Sequence, residues 1–467
     1  MGTQRPGAVL AVCSLATFLA FLDVTILNIA FPAISRSFDS ASLADLSWVF
    51  SAYNVVFAAL LIPAGRAADL YGRRRVFVTG LALFAVASAA CAFAPTAALL
   101  VGARVLQAAA AAMLVPASLA LLLPAFPPER RGAAIGTWGA MGGIAAATGP
   151  ALGGLLVEVF GWRAVFLVNL PIVALTLVIA LRVLAESRGE GVGLPDALSV
   201  LLLGSGVALV SLGIVSGEGG SWVASATLAP LVGGVVLVAL FAWRGRRVPN
   251  PLVAPELFAV RSFSAAVLGY LVFSGGFYAL LLSNVLFMTG VWAYPTLLAG
   301  VAVTPGPIMA AVGSTVGGRI SDRFGARASI VPGALLFALG CLLFATRVGP
   351  EPAYLAVFLP ATLLNGAGVG LVYSGLATAS VARLPAAHFA TGSAVGTCAR
   401  QIGAVLGIAV LLSALAGSAE LGTFRAGWWV MTATALLTVG CGLAVGRTRA
   451  PALTIPAPRP VVAEEPT

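Results

Sequence analysis

The segment GRAADLYGRRR at residues 65–75 decides how this sequence is interpreted. It places four arginines and one aspartate within eleven positions of a chain that is 60% hydrophobic and only 9% charged. A related segment, GRISDRFGAR, occurs at residues 318–327. The two segments align in register, 253 residues apart: Gly65 with Gly318, Asp69 with Asp322 and Gly72 with Gly325. The alignment indicates an internal repeat of about half the chain.

The composition predicts a membrane protein. Its 467 residues have a mean hydropathy of +1.04, and about 20 apolar helical residues are enough to cross a hydrocarbon core about 30 Å thick. The sequence predicts an all-α polytopic protein with fourteen spans, and the first is too long for a signal peptide. The predicted spans cover residues 8–34, 45–64, 76–94, 97–122, 133–158, 162–182, 197–216, 223–243, 263–287, 294–316, 328–346, 353–379, 391–416 and 427–446.

The arginines predict the orientation of these spans. All 26 basic residues are arginine, and an N-terminus in the cytoplasm puts most of them in cytoplasmic loops. The exceptions are four outer residues, Arg36, Arg163, Arg347 and Arg425, and two embedded ones, Arg104 and Arg400. We therefore expect a multi-pass protein of the cell (inner) membrane with both termini cytoplasmic. The net charge of +10 is explained by orientation, so we expect no nucleic-acid partner.

The residue inventory excludes several kinds of chemistry. Without lysine there is no phosphate-binding G-x-x-x-x-G-K-[ST] loop and no lysine Schiff base. One histidine, His388, makes a His-rich metal site impossible, and no catalytic constellation is visible. Five cysteines without a C-x-x-C pair are interpreted as packing residues: Cys13, Cys91, Cys341, Cys398 and Cys441. We expect no enzyme activity, no metal and no cofactor.

The repeat predicts two six-helix halves, the plan of a rocker-type secondary transporter. The halves cover residues 1–185 and 262–446, and residues 186–261 form a linker with two additional spans. The Pro-rich tail at 447–467 is predicted to be disordered and cytoplasmic.

The repeated turn carries residues suited to a conformational latch. Glycines permit a tight reversal, and an aspartate can cap a helix N-terminus or pair with arginine. The alternative is a loop whose charge serves orientation only. The latch candidates are Gly65, Asp69, Gly72, Arg73, Arg74, Gly318, Asp322 and Gly325.

The turn resembles the G-x-x-x-D-x-x-G-R-[RK]-[RK] signature of the major facilitator superfamily. LDVTILNIAFP at 22–32, RVLQAAAAAMLVP at 104–116 and GIAAATGPALGGLL at 143–156 resemble motifs of its fourteen-span drug:proton antiporter branch. The resemblance implies the major facilitator fold, export of a small lipophilic substrate and coupling to the proton gradient. It also implies that Arg104 is tied to proton coupling.

Asp23 and Arg104 are the candidate proton-coupling residues. A charge at membrane depth costs about 2.5–3.5 kcal/mol or more, so it needs a partner, water or a function. Burial disfavours the charged form of a carboxylic acid and a nearby guanidinium favours it, a balance suited to proton exchange. The structural alternatives are a fixed bond from Asp23 that orders helix packing and an Arg104 that only extends toward the interface.

The fifth span is rich in small residues. The antiporter motif covers Gly143, Gly149, Pro150, Gly153 and Gly154. Small faces let helices pack closely, proline bends the axis, and the resemblance implies a role in preventing leak. Ordinary helix packing is the alternative.

A mostly apolar pocket with few polar groups suits a lipophilic ligand. The substrate-cavity candidates are Asn28, Asn54, Gln107, Trp138, Tyr278, Asn284, Asn365, Tyr373, Arg400 and Gln401. The predicted function is a proton-coupled exporter of small lipophilic drugs or antibiotics that works as a monomer in the lipid bilayer. A proton-coupled importer of a metabolite and a non-transporting sensor or scaffold are the alternatives.

Overall fold

The computed structural model describes residues 5–38, 43–189, 196–218, 224–248, 251–385, 388–415 and 420–446. The side chains of Asn28 and Pro150 and the predicted tail at 447–467 lie outside this description. All regular elements of the described residues are helical, and the α-helices are α1 Pro6–Ser37, α2 Leu43–Tyr71, α3 Arg73–Ala92, α4 Ala97–Leu122, α5 Arg131–Phe160, α6 Ala164–Leu167, α7 Asn169–Val183, α8 Ala197–Glu218, α9 Ser225–Gly245, α10 Glu256–Ala259, α11 Arg261–Gly290, α12 Thr296–Val303, α13 Pro305–Phe324, α14 Arg327–Arg347, α15 Leu359–Val381, α16 Phe389–Leu415 and α17 Leu421–Val445.

Within the described ranges, 11 helices or helix pairs are long and apolar enough to cross a membrane, or 12 if the bent helix α5 is one span. The sequence predicted fourteen, so this count is not reached. The two remaining predicted spans fall on α8, which is apolar over Ala197–Val210, and on α16, which carries Arg400 and Gln401 near its middle.

The internal repeat of the sequence is visible in the helix packing. In the first half, α1 packs on α5 and α7, α4 packs on α2 and α3, and α3 packs on α7. In the second half, α11 packs on α16 and α17, α15 packs on α13 and α14, and α14 packs on α17. The two patterns correspond helix by helix, so the chain contains two structurally equivalent bundles.

Two equivalent seams join the bundles. One is formed by α5 of the first half and α13 of the second, and the other by α16 of the second half and α2 of the first. Helix α8 lies against both α2 and α16, beside the second seam, and packs on α9. Asp196 caps the start of α8 and forms an ion pair with Arg244 at the end of α9. The hydrogen bond from Arg244 holds the pKa of Asp196 well below its usual range.

Helix α5 is bent within the stretch that the sequence marks as unusual. Its segments Pro128–Gly149 and Leu152–Phe160 meet at an angle of 43°, and Pro150 lies in the break between them. A proline removes one backbone hydrogen bond and clashes with the preceding turn, which is the expected cause of a bend.

The five cysteines are free and buried, as packing residues are expected to be.

Candidate functional site

Asp23, on α1, lies in a buried polar cluster inside the first half. Its Oδ2 accepts a 2.5 Å hydrogen bond from Nη1 of Arg104, on α4, and each side chain is 1% exposed. Its Oδ1 accepts hydrogen bonds from Nε2 of Gln107 at 2.8 Å and from Nδ2 of Asn169 at 3.0 Å. Both carboxylate oxygens therefore have partners, as a charge at membrane depth requires.

The guanidinium of Arg104 is fixed by further contacts. Its Nε donates a 3.1 Å hydrogen bond to the backbone oxygen of Val49, and its Nη1 also lies 2.7 Å from Oε1 of Gln107. The ring of Tyr53 lies beneath it, with the ring centre 4.2 Å from Cζ. Helices α1, α2, α4 and α7 thus meet at one acid–guanidinium pair. A change in the charge of Asp23 would alter the contacts of all four.

Sequence reasoning anticipated part of this cluster. It selected Asp23, Arg104 and Gln107, and the structure brings these three together. It placed Gln107 in a substrate cavity, whereas its amide is fully buried and donates to Asp23 and to Oγ of Ser88 at 2.9 Å. It missed Ser88 and Asn169, although a lone amide in the apolar stretch FLVNLP at 166–171 is a usable signal.

The first repeated turn contains a buried aspartate that contacts the other half. Asp69, near the end of α2, pairs with Arg73 at 2.9 Å, and both side chains are almost fully buried. Its Oδ2 accepts hydrogen bonds from the backbone N–H and the hydroxyl of Thr391, each at 3.1 Å. Thr391 lies in the first turn of α16, so a carboxylate of the first half caps a helix of the second.

The second repeated turn makes the equivalent contact in the opposite direction. Asp322, near the end of α13, accepts hydrogen bonds from the backbone N–H groups of Gly132 at 2.6 Å and Ala133 at 2.7 Å. These groups begin α5 of the first half. The capping role and the arginine pairing that the sequence predicted for Asp69 are both present. Only the first turn has an arginine directly after its second glycine, since Ala326 stands where Arg73 does.

Small residues line both seams next to these caps. A Cβ added to Gly132 would lie 2.6 Å from Oδ1 of Asp322, and one added to Gly143 would lie 2.8 Å from the backbone oxygen of Pro307. On the α2–α16 seam, a Cβ on Gly65 would lie 2.8 Å from Cβ of Ala394. At these three glycines the two halves therefore lie too close together to accept a Cβ atom without moving.

The other glycines of the fifth-span motif differ in how closely neighbouring helices pack against them. A Cβ added to Gly149 would overlap the hydroxyl of Thr25, on α1, which donates to the backbone oxygen of Ala145 at 3.2 Å. Gly153 is buried. A Cβ added to Gly154 would meet nothing within 4 Å, so the close packing expected along this face does not extend to Gly154.

A strap of residues 184–189, after α7, covers the first turn. The carboxylate of Glu186 accepts hydrogen bonds from the backbone N–H groups of Arg74 and Arg75, each at 3.1 Å, at the start of α3. Two backbone hydrogen bonds also join the strap to the turn. The N–H of Arg73 donates to the backbone oxygen of Ser187 at 2.9 Å, and the N–H of Gly189 donates to the backbone oxygen of Asp69 at 2.7 Å. The start of the linker is thereby attached to the first repeated turn.

Replacing Gly72 with Ala should destabilise this turn by about 1–3 kcal/mol, the usual cost of a strained backbone conformation. Gly72 has φ of +119°, and a Cβ there would lie 2.6 Å from Oε1 of Glu186. Thermal unfolding of the purified protein measures the loss. In a Glu186→Ala background the steric part disappears, so Gly72→Ala should cost less there. An equal cost in both backgrounds would show that the strap does not press on the turn.

The remaining cavity candidates lie in different surroundings. Trp138 donates from Nε1 to Oγ of Ser118 at 3.0 Å, within the first half. Asn365 is buried, with its Oδ1 3.8 Å from Sγ of Cys341. Asn284 is buried on α11 and its Oδ1 has no hydrogen-bond partner among the described residues. These contacts do not by themselves identify a ligand site, so the role of the three residues as cavity candidates stays a prediction.

The other candidates are partly exposed: Asn54, Tyr278, Tyr373, Arg400 and Gln401. The guanidinium carbon of Arg400 lies 5.0 Å from the ring centre of Phe21, on α1, and 5.7 Å from that of Tyr373, on α15. Tyr373 packs in turn on Phe277, beside Tyr278. This group spans both halves near the middle of their helices.

Two equivalent helical bundles are joined by reciprocal caps, and the first of them encloses a buried acid–guanidinium pair. These features define a membrane transporter of the two-half type. The family model of the Major Facilitator Superfamily matches residues 13–407. The chain belongs to that superfamily.

Its relatives include named resistance proteins. It is 36% identical over 403 residues to the multidrug resistance protein Stp of Mycobacterium tuberculosis, covering 86% of this chain and 74% of that one. It is 34% identical over 397 residues to the methylenomycin A resistance protein of Streptomyces coelicolor, covering 84% and 82%. It is 36% identical over 418 residues to the puromycin resistance protein pur8 of Streptomyces alboniger, covering 88% and 82%.

Solved structures share the fold. The human organic anion transporter MFSD10 superposes with a TM-score of 0.71 at 17% identity, covering 93% of this chain and 99% of that one. The proton:xylose symporter XylE superposes with a TM-score of 0.62 at 15% identity, covering 93% and 94%. At such identities the likeness concerns the fold alone.

Proposed function

We propose that this protein is a proton-coupled antiporter that exports small lipophilic drugs or antibiotics across the cell membrane. The buried pair of Asp23 and Arg104 carries the proposal, because a titratable acid held by three hydrogen-bond partners at membrane depth is costly unless it has a function. The relatives named for multidrug, methylenomycin A and puromycin resistance support the export of drugs.

Protonation of Asp23 is the coupling step of this mechanism. The neutral acid no longer balances the charge of Arg104. The guanidinium then forms hydrogen bonds with other acceptors, and the contacts among α1, α2, α4 and α7 change. Binding of substrate and binding of a proton then favour different arrangements of the bundle, which is the requirement for exchange. No cofactor enters the cycle, and the proton gradient supplies the free energy.

The latches supply the alternating access. Asp69, which caps α16, and Asp322, which caps α5, hold the halves together on the arginine-rich side, which we place at the cytoplasm with both termini. Releasing both caps would let the halves rock apart there. Residues 1–185 and 262–446 act as the two moving bodies.

We assign fourteen spans to the chain. Helices α8 and α16 are 22 and 27 residues long, each sufficient to cross about 30 Å of hydrocarbon, and they add two spans to the 12 that composition identifies. The α8–α9 pair then forms the two additional spans between the halves. We assign the functional unit as a monomer.

Expression in an efflux-deficient bacterial host should raise the minimal inhibitory concentration of at least one lipophilic antibiotic several-fold. The same compound should accumulate in inverted membrane vesicles when a proton gradient is imposed, and a protonophore should abolish the accumulation. Vesicles carrying an Arg163→Gln variant provide the control, since that arginine is exposed and lies on the ring of Trp162. If the protein were an importer, wild-type inverted vesicles would lose the compound under the same gradient. If it were a sensor or scaffold, they would show no flux of the compound.

A further inference from the structure

We propose that Arg400 and the aromatic side chains around it form the binding site for an acidic group on a planar aromatic substrate. This inference rests on the proposed function and adds the substrate class. Arg400 is the twelfth residue of the 27-residue helix α16, so it lies near the middle of the membrane.

The charge of Arg400 has no compensating acid among the residues that the structure describes. None of the four ion pairs among the described residues includes Arg400. Asp23 lies near the middle of α1, but its carboxylate is already paired with Arg104. Its Nε is buried and has no hydrogen-bond acceptor among the residues that the structure describes. An uncompensated guanidinium at this depth attracts an anion, because the protein supplies none.

The surroundings of Arg400 favour a flat aromatic partner. Its guanidinium lies on the rings of Phe21 and Tyr373, one from each half. The hydroxyl of Tyr373 is 2.9 Å from Oγ of Ser274, and its ring stacks on Tyr270 with centres 6.0 Å apart. Such rings offer stacking surfaces, and the hydroxyl of the partly exposed Tyr373 offers a polar edge.

The position of this group is that of a central site. Along the α2–α16 seam, close contact continues from Thr391 through Ala394 to Cys398, whose Sγ lies 3.8 Å from the backbone oxygen of Ala58. Arg400 lies two residues beyond Cys398 on α16, at the end of this seam that is nearest the middle of the helix. A Cβ added to Gly142 would lie 3.5 Å from the ring of Phe21, next to Gly143 on the other seam. Phe21 therefore contacts both Arg400, at the end of one seam, and Gly142, beside the other.

A hydrogen bond to a charged group contributes about 1.5–3 kcal/mol, which predicts a preference of about tenfold to a hundredfold for an acid over its amide. The probes are anthraquinone-2-carboxylate and anthraquinone-2-carboxamide, which share one ring system. Their dissociation constants are measured by equilibrium dialysis against the full chain in lipid nanodiscs, with empty nanodiscs as the blank. We expect the carboxylate to bind at least tenfold more tightly.

Arg400→Gln should bring the two affinities together by weakening the carboxylate, while Arg400→Lys should retain part of the preference. Arg163→Gln, which removes an exposed guanidinium stacked on Trp162, should leave the preference intact. A wild-type ratio near 1, or a preference that survives Arg400→Gln, overturns the inference. If Arg400→Gln binds neither probe, the inference is tested by the ratio of the amide to the carboxylate dissociation constant in the wild type and in Arg400→Lys. A ratio near 1 in the wild type overturns it, and a ratio that is high in the wild type and partly retained in Arg400→Lys supports it. The assay needs no proton gradient, so failure of antiport alone leaves this result unaffected.

Discussion

Asp23→Asn should abolish substrate-driven proton movement, leaving the proton signal of reconstituted liposomes at the level of protein-free liposomes. Asparagine preserves the shape of the side chain but cannot exchange a proton at physiological pH. The measurement is quenching of a pH-sensitive dye when the antibiotic that the resistance screen finds most strongly exported is added. Exchange of labelled for unlabelled compound, which moves no net proton, should persist in the variant.

The persistence of exchange separates coupling from structure. Asp23→Asn also leaves Arg104 buried without a charged partner, a change that costs about 3–5 kcal/mol in other proteins. A purely structural Asp23 would therefore lose exchange and proton movement together. The double variant Asp23→Asn with Arg104→Gln removes the unpaired charge, so it should regain stability without regaining proton movement.

Two further variants serve as controls for Asp23. Asp23→Glu keeps a titratable acid and should retain partial coupling. Ser88→Ala removes the hydrogen bonds that Ser88 accepts from Gln107 and Asn169 but leaves Asp23 and Arg104 in place, so it should lower stability by about 1–2 kcal/mol with coupling intact. Full substrate-dependent proton movement in Asp23→Asn would show that another group carries the proton.

The sequence predicts those contacts of the structure that involve a charged residue with few possible partners. A buried acid needs a partner, and Arg104 was an embedded arginine within the same predicted half, so their pairing followed from charge alone. The caps by Asp69 and Asp322 followed from aspartates repeated in register. In both cases few alternative partners exist, because charged residues are scarce in an apolar chain.

The rest depended on three-dimensional packing that no local pattern encodes. Nothing in the sequence around Asn169 indicates that its amide reaches Asp23, 146 positions away. The strap was interpreted as a polar linker, and its carboxylate at Glu186 in fact caps α3. The position of Arg400 between Phe21 and Tyr373 required knowing which faces of α1, α15 and α16 meet.

Gly136→Leu should hold the arginine-rich side open and reduce transport by at least tenfold. A Cβ at Gly136 would overlap the backbone oxygen of Ser314 and lie 2.9 Å from Cα of Gly318, so α5 and α13 must separate. Overpacking of this kind costs about 1–3 kcal/mol, but only in the state where the seam is closed, and 1.4 kcal/mol shifts a two-state equilibrium about tenfold. Hydrogen–deuterium exchange of the full chain in nanodiscs measures the shift.

The amides that report this opening are those held by the caps. The N–H groups of Gly132 and Ala133 bind Asp322, and that of Thr391 binds Asp69. They should exchange faster in Gly136→Leu at both seams, because the halves move as bodies and one wedge opens both. Gly154→Leu is the matched control, since the same side chain enters open space on the same helix and should leave exchange unchanged. Faster exchange at Gly132 and Ala133 without any change at Thr391 would mean that the two latches open independently, and the rocking motion would have to be abandoned.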